Sequence, residues 1–274
     1  MKIALVQQTA GFDKAENLRR GLEAVERAAA ERARIVAFAE LAFEPFHPQR
    51  PAARGYEALA EPIPGPTTEA LSAAARRHGV VIVPNLFERG ADCCYDTSVV
   101  IDASGELLGR TRMVHITDYD GFHEQGYYGP GDTGAPVYET AAGRIGVAIC
   151  YDRHYPEYMR ALALAGAELV IVPQAGSVGE WPEGLYEAEM QVAAFQNGYF
   201  VALCNRVGRE ERLTFAGESF VCDPEGRVIA RAAAGAAELL CCEVDLARTR
   251  TSHARRLFLR DRRPELYADW LTRT

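Results

Sequence analysis

The feature that most constrains this chain is an order of short apolar runs and Ala/Glu/Arg-rich stretches that occurs twice. Apolar runs at residues 3–8, 35–39 and 80–85 are separated by segments at 15–32 and 67–78 whose composition favours helix. The order returns with runs at 144–149, 169–172 and 200–205, and helices predicted over 156–165 and 183–196. Pro156 suits the first turn of its helix. Runs that are apolar at successive positions belong to strands covered on both faces, so each half places helices against a largely parallel sheet. Turn signals at Ala103-Ser104-Gly105 and Pro224-Glu225-Gly226 add hairpins, the second within 218–230. Two such halves stack sheet on sheet into an α/β fold, a four-layer α-β-β-α sandwich with pseudo-symmetric halves. A doubly wound sheet satisfies the same pattern, and periodicity does not separate the two.

No Pro/Gly/Ser-rich linker divides the chain, so residues 1–274 read as one domain. The 48% hydrophobic and 25% charged composition is that of a globular protein. No apolar run reaches the roughly 18 residues of a membrane helix. The first eight residues turn polar too soon for a signal peptide, which makes a cytoplasmic location and no membrane partner the expectation. A net charge of −8 argues against nucleic acid, whose phosphates need a basic face. The seven cysteines include no CxxC zinc pair, and the adjacent Cys93-Cys94 and Cys241-Cys242 read as reduced, half-buried thiols.

Three places carry chemistry. Glu40 ends the apolar run at 35–39, where a carboxylate is costly unless solvated or paired. Cys150 ends the run at 144–149 and is followed by Tyr151-Asp152-Arg153-His154, polar surroundings unlike those of a core cysteine. A free thiol titrates near about 8.5, so a nucleophilic Cys150 needs a nearby base such as Glu40, or positive potential from Arg153 or His154. The third place is 113–124, which reads as loop and carries His115, Asp118, Asp120, His123 and Glu124. Its spacing follows no metal-ligand pattern, so neither a metal nor another cofactor is expected.

In order along the chain, Ala39-Glu40-Leu41, Gly121-Phe122-His123-Glu124 running into Pro130-Gly131-Asp132, and Gly146-Val147-Ala148-Ile149-Cys150-Tyr151-Asp152 resemble the signature blocks of the nitrilase / carbon–nitrogen hydrolase family. Asn205-Arg206-Val207-Gly208 and Phe215-Ala216-Gly217-Glu218-Ser219-Phe220 extend the likeness over nearly the whole chain. The resemblance implies the four-layer sandwich and a Glu-Lys-Glu-Cys site without cofactor. It makes Glu40 the general base, Cys150 the nucleophile, Glu124 the second acid and the Tyr151 N–H an oxyanion donor. It also implies subunit contacts through the Arg-rich, apolar-studded arm at about 247–274, hence a homo-oligomer.

One position departs from that pattern. Where the family places its Lys, two residues before His115, this chain has Met113, and its two lysines, Lys2 and Lys14, lie elsewhere in the sequence. Three explanations stand: Arg112 or another Arg compensates, the substrate brings the missing charge, or the chain is a ligand-binding protein on a disabled hydrolase. The implied activity is hydrolysis of a non-peptide C–N bond in a small amide or N-carbamoyl amino acid, releasing ammonia or an amine. Arg153 stands where N-carbamoyl-amino-acid hydrolases of the family bind a carboxylate, and an ion pair with Asp152 or Glu157 is the competing role. His154, Tyr119 and Trp181 are candidate substrate-binding residues from their nearness to the motif loops.

Overall fold

Strand β1 (Lys2–Gln7) sends Ile3 and Leu5 to one buried face and Ala4 and Val6 to the other. It pairs in parallel with β2 (Ala33–Phe38), which pairs in parallel with β3 (Val81–Val83). The computed structural model describes residues 1–272, so the last two residues of the arm expected at 247–274 lie outside the described residues. The second half repeats the unit: Gly143–Val147, Leu169–Gln174 and Phe200–Asn205 form three adjacent parallel strands. Both triplets have antiparallel neighbours on each side. Glu238–Glu243 and Val137–Thr140 flank the first strands, while Cys94–Ile101 and Phe220–Cys222 flank the third.

Helices α1 (Lys14–Ala30) and α2 (Pro66–His78) cover the outer face of the first sheet, packing Val25 and Leu71 onto Val36, Phe38 and Ile82. Helices α3 (Pro156–Leu164) and α4 (Leu185–Asn197) cover the second with Leu162 and Met190 against Val170, Val172 and Val201. The inner faces meet in one core, Ile3, Leu5, Ile35 and Val83 against Ile145, Leu169, Ile171 and Phe200. Each such side chain contributes about 1.5–3 kcal/mol on burial, and the inner layer holds the two sheets as one sandwich rather than one doubly wound sheet.

Two expected boundaries shift for local reasons. The run at 80–85 divides because Pro84 has no N–H, so β3 ends at Val83 and Asn85–Arg89 pairs antiparallel elsewhere. Helix α4 starts at Leu185 because Gly184, with φ of 81°, precedes it in a left-handed conformation. The C-terminal stretch forms a short helix at Arg248–Thr251, a π-helical turn at Ala254–Phe258 and a helix at Pro264–Leu271 that buries none of its residues. Among the described residues no helix is long and apolar enough to cross a membrane. All seven cysteines are free.

Candidate active site

Beyond the carboxyl end of β2 the chain turns sharply at Glu40-Leu41, where Leu41 has φ of 44°. A non-glycine residue in this region costs of order 1–3 kcal/mol and persists only where its surroundings enforce it. Asn85 and Arg206 do so. The Leu41 N–H donates to Asn85 Oδ1 at 2.7 Å, and the Arg206 guanidinium, reaching from the other sheet, donates to the carbonyls of Glu40 and Glu44 at 2.8 and 2.9 Å and to that of Leu41. These contacts leave the Glu40 carboxyl group free while fixing its backbone.

The equivalent place beyond Gly143–Val147 has the same strain: Cys150 has φ of 44° and opens a 3-10 turn, Cys150–His154. The turn lifts the thiol off the strand axis and sets Tyr151 directly after it. Asp152 folds back beneath, accepting from the N–H groups of Val114 and His115 and pairing with His115 Nδ1 at 2.7 Å. His115 stacks on Tyr155 with 3.5 Å between ring centres. The segment carrying Met113 is thereby tied to the segment carrying Cys150.

Glu124 opens another 3-10 turn, Glu124–Gly126, and its Oε2 faces the Thr117 N–H at 3.5 Å. Glu40, Glu124 and Cys150, remote in sequence, bring a reactive atom each to within 4.8 Å of one another, and all three are buried. They are the one group of three His, Cys, Asp or Glu side chains so close together among the described residues. Neither Glu40 oxygen has an aligned hydrogen-bond donor, and Glu124 Oε1 has none. Asp96, buried on strand Cys94–Ile101, lies beside Glu40 and accepts from Asn85 Nδ2 at 2.5 Å.

Crowding acids in a dry site suppresses ionisation. Burial first, then the charge of Glu124, push Glu40 up to about 8. Burial and Asp96 hold Glu124 well above the usual carboxylate range, and burial and Glu40 do the same to Asp96. Burial, Glu40 and Glu124 raise the Cys150 thiol, against which Arg153 pulls downward.

Arg153 is buried, and its Nη1 donates to the Cys150 carbonyl at 2.9 Å and to Gln174 Oε1 at 2.8 Å. Gln174 in turn donates from Nε2 to Cys150 Sγ at 3.3 Å. Arg153 Nε lies 3.3 Å from Glu189, whose other oxygen takes His154 Nδ1 at 2.6 Å. The ion partner is therefore Glu189, neither Asp152 nor Glu157. Arg153 Nη2, His154 Nε2 and Trp181 Nε1 are buried without partners. The Trp181 ring lies 5.2 Å from His154 and 6.2 Å from Tyr119, whose hydroxyl donates to Glu180 at 2.6 Å.

Met113 is buried in the same apolar cluster as Cys150, and its backbone bonds Asp96 and Gly131. Arg112 does not stand in for a lysine. Its guanidinium is spent on Glu88 at 2.7 and 2.9 Å and on Asp132 at 2.9 Å, lying over the Tyr95 ring. Lys2 pairs with Glu31, and Lys14 with Glu44 and Glu61. The histidines and acids of 113–124 do not converge as a metal site: His115 is held by Asp152, His123 by Asp118, and Asp120 pairs with Arg212.

Sequence reasoning missed Asp96, Gln174, Glu180 and Glu189. Asp96 and Gln174 left a signal, being polar residues inside or ending apolar strands; the two glutamates, in polar surroundings, left none.

The sequence and the fold are matched by known proteins. The model of the carbon–nitrogen hydrolase family matches residues 2–254, and the chain belongs to that family. It is 37% identical over 227 residues to the N-carbamoylputrescine amidase of Solanum lycopersicum, covering 78% of this chain and 76% of that protein. It is 31% identical to the citrullinase of Francisella tularensis over 97% of this chain and 96% of that one. Among solved structures, a carbon–nitrogen hydrolase from Helicobacter pylori G27 superposes with a TM-score of 0.92 at 30% identity, covering 100% and 99% of the two chains. A double mutant of the amidase from Nesterenkonia sp. AN1, in complex with acrylamide, superposes with a TM-score of 0.84 at 27% identity over 98% and 97%.

Proposed function

We propose that this chain hydrolyses a non-peptide C–N bond in a small molecule through a covalent intermediate on Cys150. The observation that carries this reading is the meeting of one buried thiol and two buried carboxyl groups within 4.8 Å. Glu40 takes the thiol proton, Cys150 attacks the trigonal carbon, and Glu124 places the leaving nitrogen and assists its protonation. The Tyr151 N–H stabilises the developing charge, while Arg153, His154, Tyr119 and Trp181 bind the rest of the substrate; the unpartnered buried nitrogens of Arg153, His154 and Trp181 support this. An N-carbamoyl compound is the first candidate and a small amide the second, with relatives named for carbamoylputrescine and citrulline hydrolysis behind the first. Nitriles rank below both. The single-domain organisation over 1–274 and a cytoplasmic location belong to the same reading. So does a homo-oligomer, supported by Trp270 and Leu271, more than half exposed on the last helix.

Intact-protein mass spectrometry during turnover of mixed amides and carbamoyl compounds tests the reading. An acyl or carbamoyl mass on Cys150, absent from Cys150→Ala together with ammonia release, is the expected result. Full turnover by Cys150→Ala removes it. The second reading, a ligand-binding protein without turnover, is favoured by Met113, and requires that no compound leave a mass on Cys150.

A further inference from the structure

We propose that Asp96 is a positioning residue for the base: its carboxyl group keeps a proton and donates it to Glu40, leaving Glu40 as the acid of the pair that ionises. The inference rests on the reading above, in which Glu40 takes the thiol proton, and adds the group that governs when it can.

Asp96 is a buried acid to which the proposed chemistry gives no task. It lies wholly inside, on strand Cys94–Ile101. Asn85 Nδ2 donates to its Oδ1 at 2.5 Å and to Ser98 Oγ at 3.1 Å, while Asn85 Oδ1 accepts from the Leu41 N–H at 2.7 Å. One amide therefore holds both the turn that carries Glu40 and the strand that carries Asp96. The two carboxyl groups lie within hydrogen-bond reach of each other. Asp96 Oδ2 and both Glu40 oxygens are nevertheless buried without a donor. Two ionised carboxylates offer only acceptors and repel; one proton held between them gives Oδ2 a role and Glu40 a donor.

What else each acid meets decides which one keeps the proton. Glu40 has the Cys150 thiol beside it and the Arg206 charge in range, and both favour its anion. Asp96 has the neutral amide of Asn85 and the charge of Asp152, which opposes a second anion. Glu124, Cys150 and Tyr128 complete the titratable surroundings, and burial holds all three in their neutral forms. The pair then titrates as a unit, losing its first proton through about 8 with the charge on Glu40. The Asp96 proton stays in place through the cycle. The proton that Glu40 takes from the thiol is a second one, passed on to the leaving nitrogen.

Turnover of an N-carbamoyl compound and alkylation of Cys150 by iodoacetamide, each followed across pH, test this in Asp96→Val and Asp96→Asn. Asp96→Val, a residue suited to a strand, removes the donor. It is expected to lose about tenfold at neutral pH, because Glu40 ionises about one pH unit higher, and to regain wild-type rates above that rise. Asp96→Asn, the conservative variant whose amide still donates, is expected to rescue most of that loss, with its rise no higher than in the wild type. A loss in Asp96→Val that raising the pH does not restore overturns the proposal, as does an equal loss in both variants. Should Asp96→Val not fold, infrared spectra at about pH 9 decide, where Glu40 is largely ionised. The wild type is expected to show a protonated-carboxyl C=O band that Asp96→Asn lacks, and identical spectra overturn the assignment. A wild type that neither turns over nor forms an adduct with any amide or carbamoyl compound sinks the thiol hydrolase, while the alkylation profiles and the band still decide the shared proton.

Discussion

The two halves of the sandwich bring opposite kinds of group to the site. The first contributes acids whose oxygens have few partners: Glu40 has no aligned donor, and Glu124 has only a long contact from the Thr117 N–H. The second contributes a thiol that is already wired, with Gln174 on its sulfur and Arg153 behind Gln174. Both halves use the same backbone device, a residue at φ of 44° just past a parallel strand. The shared turn exposes a side chain, and the residues around each turn decide whether it is left hungry or satisfied. An unpartnered buried carboxyl group marks where a ligand must supply the missing contact; a partnered thiol marks where reactivity is set beforehand.

Changes on either side should break this contrast unequally. Glu40→Gln removes the proposed base, and turnover should fall by about 10²–10⁴-fold while the thiol remains in place. In the wild type, kcat/KM for a neutral substrate should climb with pH through about 8 as Glu40 ionises, and that limb should vanish in Glu40→Gln. A profile flat between pH 6 and pH 9 (about) would assign the base elsewhere. Arg206→Met deletes the tie that crosses from one sheet to the Glu40 turn, and should cost about 3 kcal/mol in denaturant unfolding, since Glu210 is left unpaired beside it.

Gln174→Leu touches only the thiol side. Removing one donor to the sulfur should slow thiolate alkylation and turnover by about tenfold at neutral pH, with KM nearly unchanged. Smallest is a stability effect of opposite sign to the loss of activity. Because the folded state holds the Glu40 proton up to about 8 while the unfolded chain releases it near 4.5, ionisation of the unfolded chain lowers stability as pH rises through that window. Glu40→Gln should therefore be more stable than the wild type by about 1 kcal/mol at pH 8 (roughly), with the gap closing below the lower value. A variant less stable than its parent at both ends would show that the carboxyl group is structurally required.

Much of this was readable from residues. The repeated β-α-β-α-β order, the four long helices to within two or three residues at each end, and the continuous apolar strands all followed from periodicity and composition. Stacking of two sheets did not, because a strand covered on both sides looks the same whether helix or sheet does the covering. Glu40, Glu124 and Cys150 were legible through the motif resemblance, and the substitution at 113 was visible against it. Arg112 shows the limit: three residues before His115 in sequence, it sits in strand Leu107–Arg112 and is drawn to Glu88. Register sets that direction, and strand register is not written in a motif. Gln174 and Glu189 come from other segments, so only tertiary packing brings them to the sulfur and the guanidinium.

The strand Glu238–Glu243, which borders β1, has a consequence for how the molecule is made. The amino terminus donates to the Val244 carbonyl at 2.6 Å, so the two distant parts of the chain close one sheet edge together. Until residues 238–243 have left the ribosome, the first strand keeps a bare flank of unpaired amides and carbonyls. A nascent chain stalled before residue 238 would offer that flank to any other extended segment nearby, which makes rapid completion of synthesis a condition for avoiding wrong partners.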